Sequence, residues 1–168
     1  MKEAESRGSL LVCEGDPHLR AAFALMLGAQ YDLVFVSEPA EILPMLGQNV
    51  IRQLVWHLDH PPDLLAEGLQ RAIRADDPLD ASRQIRAAYF NSCIKTLKTI
   101  CQASPELHIL FLASDYELDF QVAALQCGRV NFLPDAWEIS QAFVEQLQAL
   151  LGDKKSSIRH WVVRLPKA

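Results

Sequence analysis

Short apolar blocks alternate along the chain with longer stretches whose apolar residues recur every three or four positions. The blocks are Leu10–Cys13, Leu33–Val36, Leu54–Leu58, Ile109–Ala113 and Val130–Leu133. Each is long enough for a buried strand and too short for a helix, and continuous apolar character suits strands covered on both faces. The periodic stretches between them predict helices. After the first block, Asp16 stands as a helix cap and Pro17 as a first helical residue, and Leu19, Ala22, Phe23, Met26 and Leu27 then form one apolar face. A short helix is expected around Ala40–Leu46, and prolines 61 and 62 close the third block. Helical composition then runs from Asp63 to Ser104, broken near Asp76-Asp77-Pro78. Its later piece, Ala81–Ala103, carries a broad stripe of Tyr89, Phe90, Cys93, Ile94, Leu97, Ile100 and Cys101. A helix near Glu117–Gln126 has Gly128 in a C-cap place, and a last helix sets Ile139, Ala142, Phe143, Leu147, Leu150 and Leu151 in register. Strands alternating with helices predict an α/β fold: a five-stranded parallel sheet with helices on both faces and an extended third helical region.

With 168 residues, half of them apolar, one domain is expected. Apolar runs such as Ile109–Ala113 fall far short of the about 18 residues of a membrane span, and the first nine residues show no apolar leader. A cytoplasmic protein away from membranes is expected. The four cysteines, Cys13, Cys93, Cys101 and Cys127, form no CxxC pair and read as reduced, buried small hydrophobes. Charge divides the chain. Residues 1–152 carry 11 basic and 20 acidic side chains, residues 153–168 five basic and one acidic. An acidic body argues against direct nucleic-acid binding, which needs a positive surface. The basic tail, 152–168, with Ile158, Trp161, Val162 and Val163, suits a linker, an added strand or an arm docking on acidic surface.

Two segments carry a family resemblance. Leu10-Leu11-Val12-Cys13-Glu14-Gly15-Asp16-Pro17-His18-Leu19-Arg20 resembles the opening strand, acidic pair and DPxLR helix start of response-regulator receiver domains. Ile109–Ser114, with Gly128–Trp137 following at the family's usual separation, resembles its fourth strand and GAxDYLxKPF segment. The resemblance spans about residues 9–151, with an insertion about 63–104, and implies the CheY-like, flavodoxin-like fold. It also implies what the chemistry requires. A working receiver holds Mg²⁺ between two acidic residues after the first strand and an acceptor Asp closing the third, because a hard cation needs oxygen ligands. Glu14 and Gly15 stand at the acidic pair, so one carboxylate is missing. Counting back from Pro62 puts Leu58 at the acceptor place, counting from Pro61 or Tyr31 puts His57 there, and Asp59 takes it with one residue deleted. Ala113 aligns with the family's Thr and lacks its hydroxyl; Asp135 aligns with its Lys and would repel a phosphoryl group.

The expectation is therefore a degenerate receiver, a pseudo-receiver of two-component type, with no enzymatic activity and no cofactor. Its pocket, formed by Glu14, Gly15, Asp16, His57, Leu58, Asp59, Ala113, Ser114 and Asp135, is vacated, and it acts by protein contact with a partner or a second copy. The runner-up is a competent receiver phosphorylated on Asp59 with Mg²⁺, using Glu14 and Asp16 and with Ser114 in place of the Thr. A third reading is a regulatory domain binding a small molecule at the strand ends. The resemblance places the partner surface on the fourth helix, fifth strand and fifth helix, which makes Tyr116, Phe120 and Trp137 contact candidates, with Trp161 in the tail. His57, Asp59 and His60 near Glu14 or Asp16 could be drawn as a transition-metal site, but alternation along a strand sends His57 and Leu58 to opposite faces, and no metal is expected. The chain has no GxSxG elbow, P-loop or GxGxxG turn.

Overall fold

A computed structural model describes residues 8–58, 70–71, 73–74, 76–113, 118–134, 145–147 and 149–150. The chain runs β1 (Gly8–Cys13), α1 (Pro17–Leu27), β2 (Tyr31–Val36), a 3-10 turn (Pro39–Glu41) leading into α2 (Ile42–Gln48), then β3 (Gln53–His57), α3 (Pro78–Ala103), β4 (His108–Ala113), α4 (Leu118–Cys127) and β5 (Arg129–Pro134). All five strands are parallel, in the order β2-β1-β3-β4-β5. The chain steps outward from β1 to β2, then back past β1 to β3. That reversal opens a crevice at the carboxyl ends of β1 and β3, where open α/β sheets carry their sites.

Alternation of side chains assigns the two faces. Leu11, Cys13, Leu54, Trp56, Ile109, Phe111, Val130 and Phe132 pack with Ile42, Phe90, Cys93, Leu97, Ile100, Phe120 and Ala124 of α2, α3 and α4. Leu10, Val12, Val55, Leu110, Leu112 and Leu133 turn the other way, onto Phe23 and Leu27 of α1 and onto Leu147. Central strands covered twice must be apolar throughout, which is why they read as unbroken blocks.

The helix starts follow their caps. Asp16 accepts a hydrogen bond from the His18 N–H at 2.8 Å, with Pro17 in the first turn. Asp77 accepts from Leu79 and Asp80 N–H groups at 3.1 and 3.2 Å, so α3 begins at Pro78, a turn sooner than the apolar stripe predicts. This 26-residue helix is about 39 Å long at a rise of about 1.5 Å per residue. It buries one stripe: Phe90, Cys93, Leu97 and Ile100 are buried, and Tyr89, Ile94 and Cys101 pack partly against the same core. The apolar breadth of the helix is thus accommodated by its own domain.

At the opposite end of the sheet, half-buried His108 opens β4. Its Nε2 lies 2.7 Å from the side-chain amide of buried Asn131, and Arg129 nearby pairs with Glu106 at 3.2 Å. Burial, and secondarily Arg129, hold the His108 pKa below 6.5. The unfolded chain therefore binds a proton that the folded one refuses between the depressed pKa and 6.5. Stability should fall as pH drops through that window. His108→Gln is expected to flatten this part of the stability–pH profile in urea titrations; an unchanged slope would contradict the assignment.

Candidate functional site

The crevice is built by register. Cys13 pairs with Trp56, so the residues that follow, Glu14 and His57, stand side by side at the ends of β1 and β3. Each lies two positions beyond a residue of the α1-side layer, Val12 and Val55, and shares its parity. The Glu14 carboxylate uses both oxygens. Oε1 accepts the Asp16 N–H at 2.9 Å, and Oε2 meets His57 Nδ1 in a short hydrogen-bonded contact. Both side chains are largely out of water, with relative exposures of 5% and 11%. A buried carboxylate is costly unless paired and hydrogen-bonded, and here it is both.

The rim is tied to the same residue. The Glu14 N–H donates to the Val36 carbonyl at 2.9 Å. Arg20 donates through Nε to the Glu14 carbonyl and through a terminal nitrogen to Ser37 Oγ, both at 2.5 Å, with its guanidinium 5.8 Å from the Phe35 ring centroid. Glu41 Oε2 accepts from the Ser37 and Glu38 N–H groups at 2.8 and 2.9 Å. Arg20 therefore ties the β2 end to the β1 turn, and Glu41 closes the turn that follows β2. Neither was singled out by sequence reasoning; the arginine of the DPxLR run was its available signal.

Solved structures with this architecture include receiver domains. The chain is similar to the signal receiver domain of an HD domain-containing protein from Pseudomonas fluorescens, at 16% identity, TM-score 0.57, covering 89% of this chain and 91% of that one. It is similar to the chemotaxis protein CheY4 of Vibrio cholerae, at 12% identity, TM-score 0.57, covering 87% and 100%. A third is a response regulator from Burkholderia pseudomallei solved with a phosphorylated aspartic acid, calcium and citrate, at 17% identity, TM-score 0.56, covering 86% and 66%. The fold is that of a receiver domain. No protein-family model matches the chain, and no curated protein matches it in sequence.

On this receiver fold the expected pocket residues part company. His57 closes β3 and reaches Glu14. Leu58 does not line the crevice: it is buried in the opposite layer with Trp56, and its N–H donates to the Leu112 carbonyl at 2.8 Å. One step along a strand reverses the face, which removes Leu58 from the pocket. Ala113, closing β4, packs in that same layer beside Phe111. Gly15 and Asp16 are exposed at the rim, and the Asp16 carboxylate caps α1. Asp59, Ser114, Tyr116, Asp135, Trp137 and Trp161 lie outside the described residues, as does the 152–168 tail. Among the described residues, no group of three or more His, Cys, Asp or Glu side chains could hold a metal ion.

Phe120 is a correction. It is 1% exposed, with ring centroids 5.1 Å from Phe90 and 5.3 Å from Phe111, so it is core rather than contact surface. The outer face of α4 instead presents Leu118, Val122 and Leu125, at 71%, 47% and 53% exposure. Spaced by four and three, they form one stripe. The sequence shows α4 as apolar nearly all round, which does not say which side faces out. The cysteines also divide. Burial above all pushes the Cys13 thiol up to about 12 and the Cys93 thiol up to about 11, as inert core thiols. Cys101 and Cys127 are only half-buried.

Proposed function

We propose that the protein is a receiver-like signalling module of two-component type that has lost aspartyl-phosphate chemistry and acts by protein contact, without enzymatic activity or cofactor. The observation that carries this reading is the Glu14–His57 pair. A receiver cation needs carboxylates free to ligate it. In this chain the Glu14 carboxylate is already engaged by an imidazole and a backbone N–H, and Gly15 supplies no ligand. The residue that closes β3 is a histidine, whereas the Burkholderia pseudomallei protein carries its phosphoryl group on an aspartic acid. Ala113 without a hydroxyl, and Asp135 where the resemblance expects Lys, support the same conclusion.

The partner is a protein, with a second copy of this chain the simplest case. Leu118, Val122 and Leu125 supply apolar contact surface, and the acidic body disfavours nucleic acid. Among the described residues no helix is long and apolar enough to cross a membrane, and cytoplasmic action fits this reading. Sedimentation with and without acetyl phosphate and Mg²⁺ tests it. Self-association should be the same in both conditions and should weaken in the double variant Val122→Glu, Leu125→Glu. Association that appears only with the phosphodonor would favour the competent receiver phosphorylated on Asp59.

A further inference from the structure

The half-buried thiols Cys101 and Cys127 sit at the ends of two helices packed on the same sheet face. Cys101 lies in the last turn of α3, and Cys127 is the final residue of α4. Gly128 shows how closely they approach. A Cβ placed on it would stand 3.3 Å from Cys101 Sγ and 3.9 Å from Cys101 Cβ. The Cα of Cys127 is the next one back along the chain, about 3.8 Å from that of Gly128. Gly128 thus leaves the gap that lets the α3 thiol reach the end of α4; a side chain there would press on the sulfur. The Cys127 thiol now points back along its own helix, 3.1 Å from the Ala123 carbonyl. Its S–H is a weak donor, so leaving that hydrogen bond to face Cys101 costs little.

We propose that Cys101 and Cys127 form a reversible intramolecular disulfide that ties the end of α3 to the end of α4 when the protein meets a peroxide. The chemistry balances. The Cys127 sulfur attacks a peroxide oxygen and becomes a sulfenic acid, with one water released when the oxidant is hydrogen peroxide. The Cys101 sulfur then displaces the sulfenic hydroxyl, which leaves as a second water with the Cys101 thiol proton. Two thiols and one peroxide give one disulfide and two waters. The order of attack follows from the surroundings: burial, and then the neighbouring Cys127, push the Cys101 thiol up and hold it back as the first nucleophile. A thiol reductant reverses the bond by exchange. The bond fastens the helix that presents Leu118, Val122 and Leu125, giving an oxidative input to that surface. Nothing in this inference depends on phosphorylation.

The test uses the full chain, reduced and then exposed to hydrogen peroxide. Free thiols are alkylated after unfolding, and intact mass and peptide mapping follow. The expected result is the loss of two hydrogens, a cross-link joining the Cys101 and Cys127 peptides, and alkylation of Cys13 and Cys93. Dithiothreitol should restore the mass. Cys101→Ser and Cys127→Ser, each with an unchanged circular-dichroism spectrum, should lose the cross-link, and Cys93→Ser should keep it. Peroxide treatment that leaves both thiols free, links two chains, or drives Cys127 to sulfinic acid with Cys101 untouched overturns the proposal.

Discussion

Phe111→Ala is expected to cost about 3–5 kcal/mol, the range for deleting a buried aromatic ring. Phe111 is fully buried in β4, with ring centroids 5.2 Å from Trp56, 5.3 Å from Phe120 and 5.4 Å from Phe132. One ring therefore joins β3, β5 and α4. Its removal forfeits burial and leaves a cavity bounded by three aromatic rings, which are too stiff to fill it. Against a total stability of about 5–15 kcal/mol, the loss is a large share. Urea denaturation should show a midpoint well below that of wild type at the same slope. Leu25→Ala, at a solvent-exposed position on α1, should stay within about 0.5 kcal/mol. A Phe111→Ala loss below about 1 kcal/mol would mean that the aromatic layer repacks freely.

Glu14→Ala is expected to cost about 3 kcal/mol, the lower end of the range for breaking a buried pair by removing one member. It leaves His57 in a largely buried place without its carboxylate, and the Asp16 N–H without its acceptor, at the very turn that starts α1. Glu14→Gln keeps the shape and one acceptor oxygen, so its loss should be smaller. The double variant Glu14→Ala, His57→Ala should be less destabilised than the two single losses added, because both changes remove the same contact. Additive losses would show that the two side chains stabilise the end of the sheet separately.

Much of this architecture is legible in the sequence. Asp16-Pro17 marks the start of α1 because capping is local chemistry, and the blocks of β1, β3 and β4 coincide with strands because a central strand covered on both faces leaves little place for polar residues. What the sequence leaves open is facing. The acceptor place allowed His57, Leu58 or Asp59; pairing of Cys13 with Trp56 sets His57 beside Glu14 and sends Leu58 into the core. An apolar residue on α4 could point either way, and only its packing against Phe90 and Phe111 shows that Phe120 is inside while Val122 is outside. The breadth of the α3 stripe has a related origin: Ile94 and Cys101 flank the buried row and rest against the same core.

On the proposed reading, the Glu14–His57 pair stands where a competent receiver keeps its phosphoryl-transfer machinery. Intact mass after incubation with acetyl phosphate and Mg²⁺ decides between that reading and a competent receiver. No added phosphoryl group is expected, in wild type and Asp59→Asn alike. A phosphoryl adduct on the wild type that disappears in Asp59→Asn would contradict it.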